Sequence, residues 1–295
     1  MVYRTNPSPL SEEERFRTVE SMISTDDSRN PLKHLTDTYG DEYPEKTLKV
    51  LYEFSQRGER GCAELLLKRF TDETIYNHET KEWLKYENGV WIKDSISNIK
   101  WRSQEFLLYI FNKIAHLAEG QEFRLKQLAR DESDSEQELK REANKYKKYT
   151  LSFDKTKKAV TYNKTSDHIL KLLSTEEDIG TNNSDFDQHP LLINLQNGYY
   201  DLEQDQFFDS DPKKRFLCQF RTNYILEAKP EKWIKFLETI FEGDQERIEY
   251  IQKLVGISLT GIADFQAVIF CFGDGRNGKS TFYETLRRLF GDYFG

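Results

Sequence analysis

Eight residues, Gly273 to Ser280, read G-D-G-R-N-G-K-S. They match G-x-x-x-x-G-K-[ST], a loop that wraps phosphate groups with backbone amides. Gly273, Gly275 and Gly278 leave the backbone free to turn tightly and to approach phosphate oxygens with no side chain in the way. Successive N–H groups then point inward as an anion nest, and a following helix adds the positive end of its dipole. In this pattern Lys279 is expected to reach the β- and γ-phosphates of ATP, and the Ser280 hydroxyl to ligate Mg²⁺.

Such a loop needs a strand before it and a helix after it. The apolar run Ala267-Val268-Ile269-Phe270-Cys271-Phe272 predicts the strand. Phe282, Leu286, Leu289 and Phe290, spaced i, i+4, i+7, i+8, predict the helix. The bland alternative is a glycine-rich turn before a surface helix with a solvated lysine. A nucleotide hydrolase of this kind also needs an acidic residue on a second strand, a group that orients the attacking water and often an arginine finger. The fifteen residues after Ser280 do not supply them. The expectation is a chain that holds the start of an ATP site and turns ATP over poorly, with no residue singled out as catalytic. A lone strand at 267–272 would also lack partners, so 266–295 is expected to be incompletely packed, mobile or covered by another copy.

The 295 residues suggest one large or two ordinary domains. Only 37% are hydrophobic and 32% are charged, which predicts long polar connections around a modest core. A net charge of −8 means that any nucleic-acid contact must come from a local basic patch. Cys62, Cys218 and Cys271 are scattered, with no C-x-x-C pair and no histidine at zinc spacing. They read as buried free thiols in a reducing cytosol. The start, Met1 to Pro9, has no secretory h-region, and no run approaches the roughly 18 apolar residues of a membrane span. The expected place is the cytoplasm.

Residues 1–45 read as a flexible segment with one helix, in which Ser11 and Glu14 form a capping box ahead of Phe16, Val19 and Met22. Residues 46–228 read as an α+β domain. Two helices over 46–70 break near Gly58. A hairpin follows, with Trp83–Tyr86 and Val90–Ile92 flanking Asn88-Gly89 and Tyr86 set opposite Trp91. A helix over 103–118 carries Phe106, Ile110, Ile114 and Leu117 on one face. Short strands near 191–196, 198–202 and 206–209 form a small antiparallel sheet; Asp187 and Asp201 read as turn and sheet-edge residues. Residues 229–265 form a helical pair, the first helix centred on Trp233 and the second capped by Asp244, and 266–295 begin the ATPase domain.

Charge is blocked between 121 and 165. An acidic run ends at Glu138. From Lys140 to Lys164 nine cations face only Glu142 and Asp154, interleaved with Tyr146, Tyr149, Phe153 and Tyr162. Lys145, Lys147, Lys148, Lys155, Lys157 and Lys158 are therefore candidate DNA contacts. The alternative is a solvated helix face whose lysines neutralise the acidic run.

The order of motifs is specific. Phe-Asp-x-x-Pro-Leu-Leu-x-Asn-x-x-Asn-Gly-x-x-Asp-Leu at 186–202 precedes the Trp233 helix. Then come Ile251-Gln252-x-x-x-Gly256-x-x-Leu259-Thr260-Gly261 and the phosphate loop with Asn277 inside it and Ser280-Thr281-Phe282 after its lysine. Upstream, Trp83-x-x-Tyr86-x-Asn88-Gly89-x-Trp91 fits the same order. Over about 60–295 the chain resembles the poxvirus-type and phage or plasmid primase–helicase family, whose motor is a superfamily 3 helicase. The resemblance implies an α+β fold, mostly helical with small antiparallel sheets, followed by the first strand, loop and helix of an AAA+-like ATPase domain. It implies an ATP-driven DNA helicase of a virus, phage or mobile element. The nucleotide set would be Gly273, Gly275, Asn277, Gly278, Lys279, Ser280 and Thr281, with ATP and Mg²⁺ as cofactors. Implied partners are single-stranded or forked DNA, further copies in a ring, usually a hexamer, and replication proteins, in the cytoplasm of a host cell. The second acidic motif, the sensor and the arginine finger have no counterpart in these residues, nor does the primase module of many relatives. A non-enzymatic protein that binds the replisome or DNA, or modulates a helicase, is the alternative function.

Overall fold

A computed structural model describes residues 43–131, 135–262, 268–273 and 275–294. The expected helix around Ser11–Met22 lies outside them. The fold is mixed α+β, mostly helical, with two small antiparallel sheets. It divides into two compact units, one of residues up to Thr71 together with Asp94–Gly180, the other of Asp72–Lys93 together with Thr181–Gly295. The second unit thus takes a β-hairpin from between two helices of the first.

The first unit is a helical bundle. Helices α1 (Tyr43–Gln56) and α2 (Glu59–Phe70) break at Gly58, whose φ of +59° favours glycine. Next comes α3 (Ile96–Asp131), 36 residues long, which forms an antiparallel hairpin with α4 (Glu136–Val160), and α5 (Asn163–Leu173) closes the unit. The helix expected over 103–118 is therefore much longer than its apolar pattern. It runs straight through Gly120, whose missing Cβ meets nothing within 4 Å. The polar continuation is rich in good helix formers, carries the Glu122–Lys126 ion pair, and buries Ala129. Its buried face is Ile99, Ser103, Leu107, Ile110, Phe111, Ile114, Ala115 and Ala118, with Phe106 and Leu117 only half-buried at its margins. Phe111 of α3 meets Phe153 of α4 at 6.1 Å between ring centroids, both fully buried.

The second unit holds both sheets. The first has strand order β3-β2-β1-β4, from β1 (Thr74–Asn77), β2 (Glu82–Glu87), β3 (Val90–Asp94) and β4 (Gly180–Thr181). The expected Asn88-Gly89 hairpin is present, both residues at positive φ (52° and 84°) as a type I′ turn requires. Tyr86 and Trp91 pack across it at 5.3 Å. These rings, with Ile75, Leu84 and Phe186, make a small core. Strands β1 and β4 join the hairpin in this sheet without being expected from the sequence. Two residues of β4 leave almost no local pattern, and His78 N–H donating to the Thr181 carbonyl ties it in.

The second sheet follows expectation: β5 (Leu192–Leu195), β6 (Gly198–Asp201) and β7 (Gln206–Phe208) in sequential antiparallel order. Helices α6 (Glu231–Ile240) and α7 (Gln245–Ser258) follow, and the Asp244 carboxylate caps α7 by accepting from Arg247 N–H at 3.1 Å. The last helix is α8 (Lys279–Phe290). The strand expected over 267–272 is not formed at 268–273. Those residues have no regular secondary structure, and Val268, Phe270 and Phe272 are 79%, 81% and 92% exposed. A strand exists only through ladder bonds to a neighbour, and among the described residues nothing pairs with this segment.

Candidate functional site

Over its described residues, Gly273 and 275–280, the octapeptide curls and is neither extended nor wholly helical. Arg276 and Gly278 stand in the left-handed region, at φ of 68° and 82°, and Gly278 is the residue just before α8. At that point a Cβ would lie 2.6 Å from Ile240 Cγ2, so both conformation and space call for glycine. Lys279 opens α8 and folds back across the loop. Its ammonium donates to the Gly273 carbonyl at 2.9 Å and to Asn277 Oδ1 at 2.8 Å. The curl thus gathers residues from both ends of the octapeptide around one ammonium. The N–H groups of the first turn of α8 face the same end, where the helix dipole is positive.

The loop is held from behind by α6. Trp233 stacks on Phe282 at 5.6 Å and on Phe236 at 5.5 Å, and Phe236 and Ile240 approach Gly278. The sequence separately marked Trp233 and the loop, but not their contact, because Trp233 and Phe282 are 49 positions apart. On the far side of α8, Phe290 packs on Phe220 at 5.4 Å, and Arg221 N–H donates to the Leu289 carbonyl at 3.2 Å. A hollow of about 500 Å³ opens beside this helix, lined by Leu192, Phe220, Val255, Leu259, Leu286 and Phe290. Further along α8, hydrogen bonds from Arg287 and Arg288 hold the exposed Glu284 carboxyl down at about 2.

The donor set fits a nucleotide triphosphate. It offers a curled glycine-rich backbone, a helix N-terminus, one ammonium already centred on the curl, and Ser280 and Thr281 exposed beside it. Ser280 is the residue that would hold Mg²⁺. Among the described residues no cluster of three or more His, Cys, Asp or Glu offers a separate metal site.

The other candidates lie on α4, in the first unit. Helical spacing divides them. Lys145 points to α1 and pairs with Glu45 at 2.6 Å. Burial lowers its ammonium, and the Glu45 carboxylate outweighs that, leaving it above the usual lysine value. Lys157 pairs with Asp154 at 2.7 Å, and Lys148 lies over the Tyr52 ring. Lys147, Lys155 and Lys158 stand on the solvent face. Of the interleaved aromatics, Tyr146, Tyr149 and Phe153 are core residues that pack on α1 and α3, so they are not open to a ligand. Tyr162 alone is exposed. The three cysteines are free thiols, but only Cys62 is buried as expected; Cys218 is half-buried and Cys271 is exposed, because the segment that carries it pairs with no described strand.

Residues 63–242 match the family described as D5 N terminal like, more than half of the chain. The chain belongs to this family, that of the poxvirus-type primase–helicases. Among its relatives is a protein of Acanthamoeba polyphaga mimivirus named as a helicase, 30% identical over 112 residues, which are 37% of this chain and 12% of that protein. An uncoating factor of Monkeypox virus is 26% identical over 119 residues, 37% of this chain and 15% of the relative. The uncoating factor of Vaccinia virus matches to the same extent. The matched stretch is thus a small part of these relatives. The family match spans α2 to α6, including both sheets, and ends before the curled loop. No helix among the described residues is long and apolar enough to cross a membrane.

Proposed function

We propose that the chain is the part of a viral or mobile-element replicative DNA helicase that grips the nucleotide. Residues Gly273–Ser280 bind the triphosphate of ATP. Backbone amides of the curl and of the first turn of α8 receive the phosphate oxygens, Lys279 neutralises their charge, and Ser280 holds Mg²⁺. The observation that carries this reading is the return of the Lys279 ammonium onto the Gly273 carbonyl, which sets a positive charge against the loop at the N-terminus of α8. Family membership supplies the DNA-helicase context. In this reading the exposed apolar segment 268–272 is the first strand of an AAA+-like sheet and waits for neighbouring strands. The family resemblance adds ring assembly, as a hexamer, around single-stranded or forked DNA.

The test is titration of the 295-residue chain with a fluorescent ATP analogue in the presence of Mg²⁺. Saturable binding lost in Lys279→Ala, with unchanged thermal unfolding, is the expected result. Equal affinity of the variant and the parent chain overturns the assignment. Sizing with and without nucleotide reads the ring independently.

A further inference from the structure

The solvent face of α4 is a continuous basic stripe on an acidic protein. Residues Ala143, Tyr146, Tyr149, Thr150, Phe153, Thr156 and Val160 are buried, which fixes how the helix is rolled. At 3.6 residues per turn, Arg141, Lys148 and Lys155 then fall on one line, i, i+7, i+14, and Lys147 and Lys158 on the line beside it. All five are exposed. None has a carboxylate partner among the described residues, although the Lys148 ammonium leans over the Tyr52 ring of α1. Of the acidic groups of the helix, Glu136 pairs with Lys140, Asp154 pairs with Lys157, Glu142 is on the side of Tyr146, and the exposed Glu138 lies one turn before Arg141, at the end of the stripe. From Arg141 to Lys158 the stripe is about 25 Å long, within the range of sites of roughly 4–16 nucleotides that single-strand binders cover.

Two exposed aromatics stand at one end of it. Tyr162, between α4 and α5, is 66% exposed, and Trp101 on α3 is 60% exposed. They share that end of the bundle because Gln104, one turn from Trp101, donates to the Val160 carbonyl at 3.1 Å and to Ser166 Oγ at 2.9 Å. Lys100 also reaches Asp167 of α5 at 2.6 Å. An exposed tryptophan gains nothing from water and, at that end of the bundle, offers a stacking platform. Lys155 also borders a hollow of about 240 Å³ whose lining mixes Ser55, Gln56, Ser152 and Thr165 with Cys62, Val160 and Ile169.

We infer that this face binds single-stranded nucleic acid. Arg141, Lys147, Lys148, Lys155 and Lys158 take the phosphate backbone, and Tyr162 and Trp101 stack on unpaired bases. The surface lies wholly within the helical unit and does not depend on the nucleotide reading. Folded duplex hides its base faces, so the aromatics have a partner only in a single strand.

The experiment is fluorescence anisotropy of a labelled oligothymidylate of about 20 nucleotides with the 295-residue chain, without nucleotide, across a salt series. An oligouridylate of equal length sorts DNA from RNA, whose backbone charge is shared. The combined Lys147→Glu, Lys148→Glu, Lys155→Glu and Lys158→Glu variant is expected to bind at least about tenfold more weakly, with the log–log salt slope reduced by about 0.7 per lost contact. Trp101→Ala with Tyr162→Ala is expected to weaken binding by about tenfold and leave the slope unchanged. A control of equal charge change, Lys229→Glu, Lys232→Glu, Lys235→Glu and Lys253→Glu, keeps affinity within about twofold on the same electrostatic argument. No binding by the parent chain, equal loss in the control, or duplex bound as tightly as single strand overturns the inference. Because ATP is absent throughout, the result is separate from that of the nucleotide titration.

Discussion

The Asn194 side-chain amide donates to the Gly89 carbonyl at 3.1 Å, across 105 positions of sequence, and to the Cys218 carbonyl at 2.9 Å. Asn194 is 1% exposed, so this one amide satisfies two carbonyls that water cannot reach easily. It joins the tip of the first hairpin to the second sheet within the same unit. Gln219 repeats the arrangement from the other side, donating to the Asn88 carbonyl at 2.7 Å and to Leu195 at 3.0 Å.

Asn194→Ala is therefore expected to cost about 1–3 kcal/mol, since it strands the buried Gly89 carbonyl, while the Cys218 carbonyl keeps the Tyr293 hydroxyl as donor at 3.0 Å. Urea unfolding checks it. A loss below about 0.5 kcal/mol would mean that the carbonyls find other donors.

Asp94 makes a similar case in the helical unit. Its side chain is 2% exposed, accepts from Arg102 at 2.7 Å and from Asn98 at 2.6 Å, and sits just before the N-terminus of α3. Removing it leaves the half-buried Arg102 guanidinium without this carboxylate. Asp94→Ala is expected to destabilise by about 3–5 kcal/mol, and Asp94→Asn by less, because the amide oxygen still accepts. Thermal unfolding of the two variants side by side checks the order.

Stability is expected to fall in alkali. Burial, with the Glu59 carboxylate adding to it, pushes the Cys62 thiol up from 9.0 to about 12. The folded chain therefore keeps a proton that the unfolded chain releases between those values, and each pH unit in the window costs about 1.4 kcal/mol. Below the unfolded value the group contributes no slope. Cys62→Ala should remove one share of the fall from about pH 9 to about pH 11 in urea titrations, the rest coming from groups such as Cys218, Tyr146 and Tyr293, which burial also raises, and Tyr200, raised by its hydrogen bond to Asp205. An unchanged slope would place the loss elsewhere.

Gly278→Ala forces a Cβ into the left-handed region and against Ile240. A stability loss of about 1–2 kcal/mol is expected from conformation alone. If the curl binds triphosphate as proposed, affinity for the fluorescent ATP analogue falls much more than stability does. Calorimetric unfolding and nucleotide titration on the same preparation separate the two effects.

Local pattern carries a good part of this fold. The Asn88-Gly89 turn, the break at Gly58, the Asp244 cap and the alternation through 191–209 depend on residues a few positions apart, so the amino-acid order alone is enough to place each of them. The octapeptide is legible for the same reason. Long-range partners decide the rest. Residues 268–272 read as a strand because apolar β-formers cluster there, but a strand is a property of pairs, and no described segment pairs with it. The lysines of 145–158 are equivalent in composition. Only the roll of α4 against α1 and α3 commits Lys145 to Glu45 and frees Lys147, Lys155 and Lys158. That roll also buries Tyr146, Tyr149 and Phe153 while leaving Tyr162 in water. Sequence therefore determined which residues could form each element and where its turns fall. Tertiary packing alone decided which charges and rings remained available, because that depends on neighbours as much as about a hundred residues away.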